Sequence, residues 1–101
     1  MNISDSDVAN GAGSGGTLLF SSAATNGTRA QAAIKSILTN GAENGIGDLA
    51  FSTRNLTSDT ALTERMRILA GGNVGIGTTT PTAVLDVAGA ASVGGQLTFR
   101  S

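Results

Sequence analysis

"GGNVGIGTTTPTAVLDVAG", residues 71–89, is the stretch on which the fold turns. It can be read as a glycine-rich phosphate cradle, or as backbone turning within packed strands. A phosphate loop of the P-loop kind closes its glycines on a lysine and opens a helix, because backbone N–H groups alone supply too little positive charge. Here threonines follow the glycines, and Lys35, the only lysine, lies far upstream. Val74, Ile76 and Thr78 alternate with Gly75 and Gly77, so one face of a strand would carry branched side chains and the other almost none. Glycine on such a face admits a neighbouring backbone where a Cβ would clash. The β reading is therefore the one adopted.

Outward from this stretch the same pattern recurs. Thr80-Pro81 breaks the chain before "AVLDV" (83–87), which groups Ala83, Leu85 and Val87. "SVGGQLTFR" (92–100) groups Val93, Leu97 and Phe99 and predicts a last strand. Upstream, "LTERMRIL" (62–69) sets Leu62, Glu64, Met66 and Ile68 against Thr63, Arg65 and Arg67. Glu64, Arg65 and Arg67 are expected to form cross-strand ion pairs. "NLTSD" (55–59) reads as a turn, and "GDLAFSTR" (47–54) alternates Leu49, Phe51 and Thr53 with Ala50, Ser52 and Arg54. "TLLFSS" (17–22) is a further strand, followed by Asn26-Gly27, a hairpin signal. Many short strands at regular spacing predict an all-β fold. Ile37-Leu38 leads through a polar turn to Gly45-Ile46-Gly47, and Ile68-Leu69 leads likewise to Gly75-Ile76-Gly77. One local device is thus expected twice: strand, turn, glycine-flanked isoleucine.

One segment disagrees. "TRAQAAIKSILTNG" (28–41) offers a Thr28…Gln31 capping box, Ile34, Ile37 and Leu38 at helical spacing, and Gly41 as a stop. Local rules read it as a helix, yet a helix would separate two strands otherwise placed to pair through it.

Composition limits what the chain can do. Glycine, alanine, threonine and serine make up more than half of its 101 residues; Trp, Tyr, Cys and His are absent. Without His and Cys there is no imidazole base, thiolate nucleophile or common zinc set. No carboxylates fall in an EF-hand spacing, and "GAGSGG" (11–16) matches the dinucleotide glycine pattern without its preceding strand or following helix. No catalytic, metal or cofactor residue is expected, and the chain is not expected to be an enzyme. The net charge of −1, with no basic stripe, argues against nucleic acid as a partner. No apolar run approaches the roughly 20 residues of a membrane span, so membrane insertion is not expected either. Three phenylalanines supply all the aromatic bulk, and 15 of the apolar residues are alanine, so a lone chain would have a thin core. Self-association is the expected remedy.

Taken in order, "GDLAFSTRN…LTERMRILAGGNVGIGTTTPTAVLDVAGAASVGG" resembles a module of tail-fibre and receptor-binding proteins of tailed bacteriophages. The residues carrying the likeness are 47–54, Glu64 to Ile68, Gly72 to Thr78, Pro81, Leu85 to Val87 and Gly89, about half the chain. "TLLFSS" and "AAIKS" are similar to upstream strands of the module, which favours strand over helix for 32–38. The resemblance implies an intertwined homotrimeric β-fibre or spike, of β-prism or triple-β-helix type. It also implies a place on the virion, with synthesis in the bacterial host cytoplasm. Such modules often precede an endosialidase-type intramolecular chaperone domain; here the sequence stops at Ser101, and a short complete protein starting at Met1 is the expectation.

The resulting reading has three parts: an extended N-terminal arm (1–16) that attaches to other virion structural proteins, a β-rich meander (17–70), and a glycine-rich intertwined segment (71–101). Val74, Gly75, Ile76, Gly77, Leu85, Val87 and Gly89 are the expected trimer-packing residues, with another chain's backbone passing Gly75 and Gly77. The expected role is assembly of a tail fibre or spike, extending to contact with a host-surface glycan or protein. The alternative is a carbohydrate-binding adhesin module on a viral or bacterial surface, although Trp and Tyr, the usual sugar platforms, are missing.

Overall fold

The computed structural model describes residues 13–21 and 30–100. Residues 1–12 of the expected arm and the Asn26-Gly27 turn lie outside them. The fold is all-β. One sheet holds six strands in sequence order: β1 (Thr17–Phe20), β2 (Ala32–Asn40), β3 (Ile46–Thr53), β4 (Thr63–Ile68), β5 (Val74–Ile76) and β6 (Leu85–Val87). The first five pair antiparallel and β6 joins β5 in parallel.

The disputed segment is a strand. β2 is the longest element and lies between β1 and β3, pairing with both. Each side satisfies its N–H and C=O groups, and its alternation places Ile34 and Leu38 on one face with Ala33, Lys35 and Ile37 on the other. Ladder pairing on two sides overrides the local capping box, as tertiary context does for weak intrinsic propensities. The described end of the arm also joins the sheet. Gly13 N–H donates to Leu38 O (2.8 Å), Leu38 N–H to Ser14 O (2.6 Å) and Ser36 N–H to Gly16 O (3.0 Å), prolonging the β1–β2 ladder. "GAGSGG" therefore leads into a strand.

The hairpins follow the sequence closely. β2 and β3 join through a turn closed by Gly45 N–H to Ala42 O (2.9 Å), with Glu43 at φ +54°. β4 and β5 join through a turn in which Gly72 N–H donates to Leu69 O and Leu69 N–H to Asn73 O, both 2.8 Å. The two glycine-flanked isoleucines, Ile46 and Ile76, thus each sit on the return strand of a hairpin. Between β3 and β4, residues 54–62 form the turn read from "NLTSD". The Arg54 guanidinium donates to the carbonyls of Ala30 and Asp59, while Asp59 Oδ2 accepts from the N–H groups of Asn55 (3.3 Å) and Leu56 (3.0 Å).

Three expectations fail. Residues 92–100 form no strand; the last ladder residue is Val87, and residues 88–100 are exposed throughout. Alternation specifies a strand only where a partner offers hydrogen bonds and cover, and the described residues bring neither to the tail. Thr78, expected to continue the Val74–Ile76 face, has left the strand, and β6 begins at Leu85 rather than Ala83.

The core is thin. Among the described residues the buried apolar side chains are Ala30, Ala33 and Ala50, and no large side chain is fully buried.

Candidate functional site

The register sorts the strand residues into two faces of opposite chemistry. Following ladder partners across all six strands gives one continuous row: Leu18, Ile34, Phe51, Met66, Ile76, Val87. Beside it runs a second: Ser36, Leu49, Ile68, Val74, Leu85. Phe20, Ala32, Thr53 and Thr63 extend the same face at one end. None of these positions is charged. Leu18, Phe20, Leu49, Ile76 and Leu85 are exposed, and Ile34, Phe51, Met66, Ile68, Val74 and Val87 are half-buried. Two rows about 7 Å deep over six strands about 4.8 Å apart make a patch of roughly 400 Å². Covering it would contribute about 10 kcal/mol per chain before the entropic cost of association. That is comparable with the whole stability of a small domain.

The opposite face carries every charge of the regular ladder: Lys35, Asp48, Glu64, Arg67 and Asp86. Its central row reads Thr17, Lys35, Ala50, Arg67, Gly75, Asp86, so small residues alternate with charged ones. Ala50, between Lys35 and Arg67, is only 2% exposed.

A β-bulge assembles the ion cluster on this face. Phe51 pairs with Met66 and Ser52 with Glu64, leaving Arg65 as the extra residue. The bulge moves Glu64 off the face of Met66 and onto that of Arg67. Arg67 then grips Glu64 with two hydrogen bonds, Nε to Oε2 at 2.9 Å and Nη2 to Oε1 at 2.6 Å, and reaches Asp48 Oδ2 at 3.3 Å. Asp48, 7% exposed, also accepts the Ala70 N–H at 2.9 Å and so holds the β4–β5 turn. The bonds to Glu64, above all, raise the pKa of Arg67 above the ordinary guanidinium value against the opposing effect of burial. Glu64, Arg65 and Arg67 therefore do not form the cross-strand set expected of them: Glu64–Arg67 lies along one strand, the pair that crosses strands is Arg67–Asp48, and Arg65 Nε donates to Thr53 Oγ1 (2.9 Å).

The opening stretch explains itself on this face. Parallel neighbours need a crossover, commonly of a dozen residues or more. Here the eight residues 77–84 suffice, because they pass directly over β5. A Cβ on Gly75 would overlap the Thr78 carbonyl oxygen and sit 3.3 Å from Pro81 Cδ. Gly75 and Pro81 are both buried. Asp86, opposite Gly75 in the ladder, clasps the loop by accepting from Thr82 N–H (2.9 Å) and Oγ1 (3.2 Å). Gly77 N–H returns to Arg65 O (2.8 Å), with Gly77 at φ +76°.

The sequence-derived packing residues are thus divided. Val74, Ile76, Leu85 and Val87 lie together on the uncharged face. Gly75 lies on the opposite face, and within the single chain the backbone that approaches it is that of Thr78. Gly77 and Gly89 lie beyond the strand ends. The signal missed in the sequence was Asp86: an acidic residue between Leu85 and Val87 marks the face that receives the loop. Among the described residues, no three of His, Cys, Asp and Glu gather as metal ligands, and no helix is long and apolar enough to cross a membrane. Compared with protein-family models and with curated proteins, the chain finds no match.

Proposed function

We propose that this chain is a structural subunit of a bacteriophage particle, a homotrimeric tail-fibre or spike component whose work is assembly. One observation carries the reading: a six-stranded sheet whose uncharged face, built from eleven ladder positions in two rows, has no second layer over it among the described residues. A single sheet of this kind needs a partner layer to bury its apolar face. Copies of the same chain provide that layer symmetrically, with Val74, Ile76, Leu85 and Val87 among the contacts. The number three comes from the resemblance of residues 47–95 to the fibre module. The charged face, already occupied by its own ion cluster and crossover loop, stays toward solvent, toward other virion proteins, or toward a host-surface glycan or protein.

No residue in this reading performs chemistry, and none needs a cofactor. Light scattering on the eluting protein tests it: the expected mass is three times the 9.9 kDa of one chain. A stable, folded monomer at micromolar concentration would overturn the proposal.

A further inference from the structure

The tail 90–100 and the uncharged face have complementary needs. Val93, Leu97 and Phe99 alternate with Gly94, Gln96 and Thr98, a strand pattern without a partner, and Phe99 is 84% exposed. Leu97 and Val93 are exposed as well. Neither the tail from 90 to 99 nor the regular ladder of the uncharged face contains a charge; Arg100 follows immediately after Phe99, where it would meet solvent at a rim. The dimensions also agree. An extended segment from Val93 to Phe99 spans about 20 Å, and the face from β1 to β6 spans about 24 Å. Gly94 and Gly95 leave the tail's middle without bulk, so its backbone can lie close to a sheet. The tail does not lie on the face of its own chain, for every residue from Ala88 to Arg100 is exposed.

We infer that the uncharged face of one copy is covered by the tail of a second copy, with Val93, Leu97 and Phe99 set along the row Ile34, Phe51, Met66, Ile76, Val87. This rests on the self-associating reading above and adds to it a named segment that crosses between chains. Exchange of this kind hides the tail's three large side chains and the open face in one step, and makes each chain's apolar burial depend on its neighbour. Each copy both gives and receives a tail, and with three copies the exchange closes as a ring.

The chain has no cysteine, which makes the test clean. Full-length Leu97→Cys, carrying a mass tag, is mixed in denaturant with full-length Met66→Cys or Ile76→Cys, refolded together and oxidised. The inference expects a disulfide joining a tagged to an untagged chain at one of the two face positions. It expects none when the partner is Lys35→Cys, on the opposite face. Sedimentation of each variant checks that it assembles as the parent does. Assembled chains that cross-link at neither face position would overturn the tail exchange and leave the trimer standing. The double variant Leu97→Cys/Met66→Cys closing within single chains would overturn it too, since the tail would then cover its own sheet. A parent chain that sediments as a monomer would instead overturn the reading on which the exchange rests.

Discussion

Lys35, Asp48, Glu64, Arg67 and Asp86 all rise from one face of the sheet, while the other face presents two rows of Leu, Ile, Val, Phe and Met broken only by Ser36. The first face is finished within the chain. Its carboxylates are bonded, its small residues are covered, and the crossover 77–84 is locked over Gly75. The second is left open although its apolar surface is the larger. The difference separates what folds this chain from what assembles it. Polar groups must be satisfied locally, because each unpaired one costs on the order of 1–3 kcal/mol when buried. Apolar surface can wait for a partner, because its cost in water scales with area and is recovered whenever cover arrives.

Substitutions on the two faces should therefore fail in different ways. The largest effect is expected at Gly75→Val. The new side chain would overlap the Thr78 carbonyl, evict the crossover and cost β6 its place, a loss of about 3–4 kcal/mol in urea unfolding. If only assembly suffered and the chain kept its stability, Gly75 would belong to the other face's chemistry after all.

Next comes Ile76→Glu, one residue along and on the opposite face. Ile76 is exposed in the single chain, so its fold should hold within about 0.5 kcal/mol. A carboxylate in the covered patch should nevertheless dissociate the assembly, with light scattering falling to the mass of one chain. Lys35→Glu, facing the other way, should leave the mass unchanged.

A smaller loss is expected at Asp48→Asn, about 1–2 kcal/mol by thermal unfolding. The amide oxygen still receives the Ala70 N–H, but Arg67 keeps only Glu64 as a charged partner. This cluster should give no pH dependence near neutrality from its arginine. The pKa of Arg67 is raised on folding, so its contribution is fully present below the ordinary guanidinium pKa and fades only as pH climbs through the raised value, far above neutrality. The smallest effect is Gly71→Ala. Nothing lies within 4 Å of a Cβ there, so stability should stay within about 0.5 kcal/mol, with a gain as the expected sign.

The division into faces was only partly legible in the sequence. β3 and β4 were placed within a residue of their observed bounds, because each alternates cleanly and pairs on both sides. Val74 with Ile76, and Leu85 with Val87, were each read onto one face of a strand, and the register places them so. Glu64 was not, since the bulge at Arg65 belongs to the pairing of two strands and leaves no mark on the alternation of one. The helical signals of 28–41 are local and were overridden in the structure, where β2 is fixed by ladder partners 6 to 21 residues away in sequence. Gly75 was rightly read as a site of close approach, but a glycine cannot say whose backbone comes near. The tail shows the reverse limit: its alternation was read as a strand, and the partner such a strand requires is not supplied by the described residues of its own chain.

Ile34 and Lys35 offer the most direct test of the division. They are neighbours in β2, similarly half-buried in the single chain, and on opposite faces. Single cysteines at each position would be labelled with a thiol reagent across a dilution series of the full-length protein. Cysteine at 34 should react slowly when the protein is concentrated and speed up at least tenfold on dilution to monomers, while cysteine at 35 should react at one rate throughout. Equal rates at both positions and at every concentration would contradict the assignment of the uncharged face to self-association.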